Sequence, residues 1–336
     1  MKILILRFSS IGDIVLITPV LRALKKQLKN VEIHFATKKD YAFLLEENPN
    51  VTQIHQLSDS LYSLTNQLKQ ERFDYIIDLH NNLRTRYIKL RLGVKSYTLN
   101  KLNVEKWLYT NFKINRLPNK HIVERYMETV APLSVSIDED GLEYYIPHRD
   151  EVENDWLPET HRNGYAAIVI GGGYATKKLP TKRIIELCDR INKPIILLGG
   201  DAEVSVGKEV AQFFKKDSDN TSFDQGLRDL GKEATIFNGC GKFNMNQSAS
   251  ILKNATWVFS HDTGLMHIAA AFGKHIFTIW GNTTPLFGMY PYNTKFTVFE
   301  NNKLKCRPCS KIGYNKCPKG HFKCMNELIF DFWLPD

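Results

Sequence analysis

The sequence predicts an α/β fold of two Rossmann-like domains, each a doubly wound parallel sheet, and three observations carry the prediction. The chain has 336 residues, more than one ordinary core of roughly 100–200 residues accounts for. Short β-rich apolar runs alternate with stretches of helical periodicity, and that βαβα order requires a parallel sheet with both faces covered. The alternation then restarts after an acidic stretch that holds prolines. The predicted organisation is a first domain over 1–137, a linker over 138–163, a second domain over 164–325 and a tail over 326–336.

In chain order, Ile3–Phe8 reads as a buried strand, Ser9-Ser10-Ile11-Gly12-Asp13 as a turn, and Ile14, Ile17, Leu21, Leu24 and Leu28 as the apolar face of a helix. Pro19 lies inside that helix and cannot donate to the carbonyl four residues back, so a kink is expected there. Ile33–Ala36, Gln53–Leu57 and Tyr75–Leu79 read as further strands. From Asp138 to Glu159 there are nine acids against Arg149 alone, interrupted by Gly141, Pro147 and Pro158, the composition of a linker. Beyond it, Tyr165–Ile170 ends in Gly171-Gly172-Gly173, Pro194–Leu198 in Gly199-Gly200, Thr235–Asn238 at Gly239, Trp257–Ser260 in His261-Asp262-Thr263-Gly264, and Ile276–Trp280 at Gly281. Ligands of open α/β sheets bind at the carboxyl ends of strands, where glycine admits a ligand to the backbone and helix N-termini attract anions. The second domain therefore reads as a nucleotide binder. It has no Walker A loop and no complete G-x-G-x-x-G, which argues against a P-loop ATPase and an ordinary dehydrogenase.

With 43% hydrophobic residues the chain is not globally disordered. No apolar run approaches the roughly 18–20 uncharged residues of a membrane span. The first apolar run lacks a cleavage pattern, and six cysteines do not make a disulfide scaffold, so a cytoplasmic location is expected. The net charge of +9 is concentrated. Arg84, Arg86, Lys89, Arg91, Lys95, Lys101, Lys106, Lys113, Arg116 and Lys120 face a single acid, Glu105, within one segment. Such a segment implies a polyanionic partner (nucleic acid, an anionic membrane face or a phosphorylated glycolipid) or else a solvated basic face. No nucleic-acid motif or interleaved aromatic platform accompanies it, and no nucleic-acid partner is expected.

Three clusters carry chemistry. Asp13 stands at the first strand-turn-helix junction, where it serves either as a helix cap or as a general base at the mouth of the sheet. Thr176-Lys177-Lys178-Leu179-Pro180 follows the first strand of the second domain, where a lysine can meet charge growing on a departing phosphate or simply face solvent. In Ser260-His261-Asp262-Thr263-Gly264-Leu265-Met266-His267, Asp262 can accept from sugar hydroxyls and the Thr263 and Gly264 amides open a helix suited to an anion. His267 on that helix reads as a packed histidine when taken by itself. Glu203, past Gly199-Gly200, could accept from ribose hydroxyls.

With these motifs in place the sequence resembles the lipopolysaccharide heptosyltransferases, glycosyltransferase family 9. The resemblance spans nearly the whole chain and is carried by Ser9-Ser10-Ile11-Gly12-Asp13-Ile14-Val15-Leu16-Ile17-Thr18-Pro19, Asp78-Leu79-His80-Asn81, Lys177-Lys178-Leu179-Pro180 and Asp262-Thr263-Gly264-Leu265-Met266-His267. It implies the GT-B fold and an inverting, metal-independent transfer of heptose from ADP-heptose to a lipopolysaccharide core acceptor, with no cofactor. It implies Asp13 as catalytic base. On the donor side it implies Thr176 and Lys177 at the diphosphate, Glu203 at the ribose, Phe243 at the adenine, and Asp262, Thr263, Gly264, Leu265 and His267 around the sugar. Acceptor contacts are expected from Ser10, Gly12, His80, Asn81, Arg84 and Arg86, with the enzyme at the inner face of the inner membrane. Transfer from another nucleotide sugar in capsule or glycan synthesis, and nucleotide-sugar binding without turnover, are the alternatives.

The terminal cluster Cys306-x2-Cys309-x7-Cys317-x3-His321-x2-Cys324 has the spacing of a structural zinc site. Reduced thiols packing the tail are the first expectation and a disulfide the last. The acidic pairs Asp138-Glu139-Asp140 and Asp217-Ser218-Asp219 follow no apolar strand and read as solvated charge rather than as the metal-binding pairs of other glycosyltransferases.

Overall fold

The computed structural model describes residues 1–219 and 234–334, with residues 216–219 described by their backbone alone. The Asp217 and Asp219 side chains lie outside the described residues. In the first domain, β1 (Lys2–Leu6), β2 (Glu32–Lys38), β3 (Gln53–Leu57), β4 (Tyr75–Asp78) and β5 (Ser96–Thr98) form a parallel sheet in the order β3-β2-β1-β4-β5. In the second, β6 (Ala166–Val169), β7 (Ile195–Leu198), β8 (Ile236–Asn238), β9 (Trp257–His261), β10 (Ile276–Trp280) and β11 (Phe296–Glu300) run parallel in the order β11-β10-β9-β6-β7-β8. Chain order reverses between β1 and β4 in one sheet and between β6 and β9 in the other, the points where such sheets leave a crevice for ligands.

The central strands lie under helices on both faces, which is why Ile3, Leu4, Ile5 and Leu6 are all fully buried without alternation. Truncating one of them to alanine removes several buried methyl groups and should cost roughly 2–5 kcal/mol. Pro19 does more than kink its helix. The stretch breaks into Ile11–Val15 and Thr18–Gln27, with Pro19 in the first turn of the second piece, where a missing N–H costs nothing.

The acidic stretch from Asp138 is not a solvated tether. Arg22, buried on the first-domain helix Thr18–Gln27, pairs with Asp138 at 2.5 Å and Glu143 at 3.1 Å. Asp150 accepts from Asn244 and Asn246 of the second domain at 2.8 and 2.9 Å. The stretch thus ties both domains together, through ion pairs to the first and amide hydrogen bonds to the second, and the expectation of solvated charge fails at Asp138. The terminal stretch packs as well: Phe330 is buried against Phe299, and the Phe332 ring lies beside Phe259 and Phe277. Among the described residues no helix is long and apolar enough to cross a membrane.

Candidate active site

The loops after β1, β6 and β9 open on one cleft of about 560 Å³ between the domains. Its first-domain wall includes Arg7, Ser10, Gly12, Asp13, Lys101, Lys106, Arg125 and Tyr126. Facing it are Gly173, Tyr174, Lys177, Asp262, Thr263, Gly264, His267 and Lys311. The two walls meet where the helix Ile11–Val15 packs on the helix Gly264–Ala271. No side chain fits between their glycines: a Cβ on Gly12 would stand 2.6 Å from His267 Cδ2, and one on Gly264 2.6 Å from Ile11 Cγ2.

Asp13 is the third residue of its helix, and its Oδ2 accepts from the Ser10 amide at 3.2 Å and the Ser10 hydroxyl at 2.7 Å. The capping role and exposure to the cleft therefore coexist in one carboxylate. Its Oδ1 lies 2.6 Å from Arg7 Nη2, and the buried Tyr126 hydroxyl donates to the same oxygen at 3.4 Å. Burial opposes ionisation here, but the Arg7 guanidinium and the Ser10 hydrogen bonds outweigh it and hold the carboxyl down at about 2. Asp13 is a permanently ionised acceptor whose geometry is fixed on three sides. Arg7 is itself held by the carbonyls of Ser9 and Leu79, at 2.6 and 2.5 Å.

Across the cleft, Lys177 Nζ lies 2.7 Å from Asp262 Oδ2 and donates to the Asp262 carbonyl at 3.3 Å. Thr283 donates to the same Asp262 carboxylate oxygen at 3.1 Å. Thr263 precedes the helix in an extended conformation, so the amides of its first turn are free of intrahelical partners. His267 is buried and driven down to about 4 by that burial, which makes it a neutral imidazole at the junction.

The structure thus brings Ser10, Gly12, Asp13, Lys177, Asp262, Thr263, Gly264 and His267 to one cavity. Thr176 does not line it; its hydroxyl accepts from the Tyr314 amide at 2.8 Å and donates to the Tyr314 carbonyl at 3.0 Å, anchoring the cysteine-bearing tail. Glu203 is buried at the ends of β6 and β7, accepting from Gly200 at 3.0 Å and from Lys178 at 3.0 Å. Leu265 is buried in the helix, and Phe243 packs edge-on to Phe237, both away from the cleft wall.

On the expected acceptor side, His80 Nδ1 accepts from the Phe8 amide at 3.2 Å, and burial together with Arg7 pushes its pKa down to about 4. Asn81 adopts positive φ and donates to the Leu99 carbonyl at 2.9 Å. Both shape the loop after β4 and neither lines the cleft. Arg84 and Arg86 stand exposed on the helix Leu83–Leu92, outside it. The basic segment reaches the cavity through Lys101 and Lys106 instead, joined by Arg125 and by Lys311 from the tail. Lys106 is driven down to about 8 by burial and by Arg125, while Lys101 is lowered by burial and by Arg7. Neither lysine nor Lys311 has a carboxylate partner among the described residues.

Arg7, which lines the cleft and pairs with Asp13, is one of the residues that sequence reasoning missed. Its signal was a cation placed directly after the first buried strand, at the end where ligands bind. Tyr126, 113 residues beyond Asp13, gave no local signal.

In the tail Cys306 Sγ lies 3.8 Å from His321 Nε2, and Cys309 Sγ donates to the Cys306 carbonyl at 2.9 Å. Among the described residues the one group of three or more ligand atoms lying within 4.8 Å of one another is His34, His55 and Glu71, far from the tail. All six cysteines are free. Burial, with the neighbouring cysteines adding to it, raises Cys309 to about 11 and Cys324 to about 12. Arg307 also holds the tail, donating to the Gly281 and Thr283 carbonyls at 2.5 and 3.0 Å and pairing with Glu300 at 2.9 Å.

The model of glycosyltransferase family 9 (heptosyltransferase) matches residues 61–318. Lipopolysaccharide heptosyltransferase 1 of Campylobacter coli is 23% identical over 90% of this chain and 91% of its own. Lipooligosaccharide heptosyltransferase 2 of Haemophilus influenzae is 23% identical over 98% and 99%. Among solved structures, the ADP-heptose lipopolysaccharide heptosyltransferase II of Escherichia coli superposes with a TM-score of 0.66 at 17% identity, covering 97% of this chain and 98% of that one. A more distant likeness, with a TM-score of 0.54 at 12% identity over 96% of this chain and 74% of that one, is to the iron-containing dodecameric glycosyltransferase TibC of Escherichia coli. These structures share the two-domain GT-B fold.

Proposed function

We propose, for a chain that belongs to glycosyltransferase family 9 (heptosyltransferase), that it transfers heptose from ADP-heptose to a lipopolysaccharide core acceptor with inversion at the anomeric carbon. The observation that carries the reading is the opposition across one cleft of an ionised carboxylate, Asp13, and a cationic, amide-rich wall formed by Lys177 and the Thr263–Gly264 helix start. A glycosyltransferase needs both at once: an acceptor for the hydroxyl proton on one face of the sugar and stabilisation of a leaving diphosphate on the other.

Asp13 Oδ1 or Oδ2 takes the proton of the acceptor hydroxyl as its oxygen bonds to the anomeric carbon. The bond from that carbon to the diphosphate oxygen breaks, and ADP leaves. A carboxylate with a pKa near 2 is too weak a base to hold an alkoxide beforehand, so the proton moves as the leaving group departs. Asp262 orients Lys177, whose ammonium meets charge developing on the leaving phosphates alongside the helix amides. This chemistry requires no divalent metal in the donor site. Lys101 and Lys106 on the first-domain wall, with Lys311 across from them, meet the acceptor's anionic groups.

The test is direct. Purified protein with ADP-heptose and a heptose-deficient lipopolysaccharide core should release ADP and extend the acceptor by one residue of inverted configuration, with EDTA leaving the rate unchanged. ADP-heptose that binds but is never turned over with any such acceptor would reject the reading.

A further inference from the structure

Two histidines of the first domain are buried and take no part in the cleft. His34 on β2 is 2% exposed and His55 on β3 6%, and Phe73 closes edge-on over both rings. His34 Nδ1 and His55 Nε2 stand 2.9 Å apart, bridged by one proton. Glu71, just past the helix Leu61–Gln70, completes the group: one ligand atom from each of His34, His55 and Glu71 lies within 4.8 Å of the other two. Lys2 and Glu32, the first residues of β1 and β2, border it, which puts the group at the end of the sheet opposite the cleft. A packed histidine pair needs only the bond between its rings, and that leaves one atom over. His34 Nε2 is buried and has no hydrogen-bond partner among the described residues, while Glu32 Oε2 stands 3.8 Å from it.

We infer that His34, His55 and Glu71 bind one zinc ion, in place of the proton that the two imidazoles share. Two imidazoles and a carboxylate are zinc ligands, and solvent that reaches the part-exposed Glu71 completes the shell. Tetrahedral zinc holds its nitrogen donors about 3.3 Å apart, so the rings need part by only a few tenths of an ångström. Burial keeps both imidazoles neutral, the form that ligates. A histidine that ligates through one ring nitrogen carries its proton on the other and donates it to a second group, commonly a carboxylate. Glu32 stands where His34 Nε2 would donate. Lys2 is the competitor: its Nζ lies 3.0 Å from Glu71 Oε2 and 3.7 Å from Glu32 Oε2, so it can turn to Glu32 when a dication takes Glu71. The ion would join β2, β3 and the connection into β4, stabilising the first domain without entering the chemistry of the cleft.

The experiment uses the full chain, purified without a metal-affinity tag, stripped with a chelator and titrated with zinc and with cobalt(II). Zinc should bind and raise the melting temperature, because an ion that binds only the folded chain stabilises it. Cobalt(II) held by nitrogen and oxygen should absorb in the visible without the near-ultraviolet charge-transfer band of thiolate ligands, which separates this site from the tail cysteines. Glu71→Gln and His55→Gln should each weaken zinc by about tenfold or more, and Glu32→Gln by about tenfold, the effect of losing a group that orients a ligand. Lys2→Met should tighten zinc by about tenfold, since it removes the ammonium that repels a dication and competes for Glu71. Should His55→Gln fail to fold, the part-exposed Glu71 and Lys2 variants decide. A parent that zinc does not stabilise, a Glu71→Gln protein that binds zinc like the parent, or a Lys2→Met protein with no gain overturns the inference. So does zinc binding that disappears in Cys306→Ser, Cys309→Ser and persists in Glu71→Gln, which would assign the metal to the tail. None of these readouts uses transfer activity, so the zinc site and the proposed function stand or fall separately.

Discussion

Arg7 Nη2 and Asp13 Oδ1 stand 2.6 Å apart at the carboxyl end of β1, with Asp13 21% exposed to the cleft. The pair decides the protonation state of the carboxylate. Burial alone would raise the Asp13 pKa, and the guanidinium is the larger of the groups that lower it. Arg7→Met should therefore move the acid limb of kcat/KM to higher pH, because a buried carboxyl without its cation holds a proton more tightly. A pH–rate profile whose acid limb does not move would show that Arg7 is not the controlling group.

The same pair links pH to stability. The folded Asp13 pKa of about 2 lies below the ordinary 3.8, so its contribution is present above pH 3.8 and is lost as pH falls through about 2. The difference amounts to about 2 kcal/mol. Asp13→Asn should abolish this part of the acid sensitivity, measured by denaturant unfolding between pH 5 and pH 2. It should also lower turnover by roughly 100-fold or more, the usual share of a general base. Near-normal turnover would leave Asp13 as a cap alone.

How far this site was legible follows from where each residue sits. Asp13, Lys177 and Asp262 all follow buried apolar runs, and the run itself marks the strand end where ligands gather. Nine of the eleven strands among the described residues follow apolar runs legible in the sequence, and β5 and β11 are the exceptions: β5 has only three residues, Ser96–Thr98, and both are edge strands with one neighbour to satisfy. Arg84 and Arg86 were assigned to the acceptor because they follow β4 closely, yet a helix turns through 100° per residue and sequence nearness does not say which face meets the cleft. Lys101 and Lys106, further along the chain, are the ones that turn inward. Tyr126 and Lys311 reach the cleft only through tertiary packing, which no local pattern encodes.

Lys177 and Asp262 form an ion pair at 2.7 Å, so a diphosphate must share or displace that carboxylate. Lys177→Ala should weaken ADP binding by about tenfold, the size of one charge-assisted contact. Asp262→Asn, which leaves the lysine unpaired, should leave ADP affinity equal or tighter while transfer falls. Titration calorimetry separates the two. Unchanged ADP affinity in Lys177→Ala would place the lysine outside the donor site.

Lys106 is a titratable anion contact, because burial and Arg125 depress it to about 8. A lysine is charged below its pKa, so the acceptor KM should be low at pH 7 and rise as pH passes about 8, while ADP affinity stays level. Lys106→Met should raise the KM at pH 7 and flatten its dependence between pH 7 and pH 9. Persistence of the full pH dependence in the variant would assign it to another group.

The contact between the domains is set by two glycines, and a single methyl group tests it. On Gly264 the new carbon would stand 2.6 Å from Ile11 Cγ2 and 2.8 Å from Ile11 Cβ, closer than carbon atoms approach without displacement. Overpacking of this kind costs typically 1–3 kcal/mol, and here the yielding direction separates the helix Ile11–Val15 from the helix Gly264–Ala271. Asp13 rides on the first helix and the anion-facing amides open the second, so their opposition widens with the helices. Gly264→Ala should therefore lower kcat by more than it raises the KM for ADP-heptose, since the donor wall remains intact while the base recedes. Adding Ile11→Ala removes the atom that the methyl group meets first, and the double variant should recover part of both the lost turnover and the lost melting temperature. A Gly264→Ala enzyme with the parent's kcat would mean that the close approach of these helices sets no distance that catalysis uses.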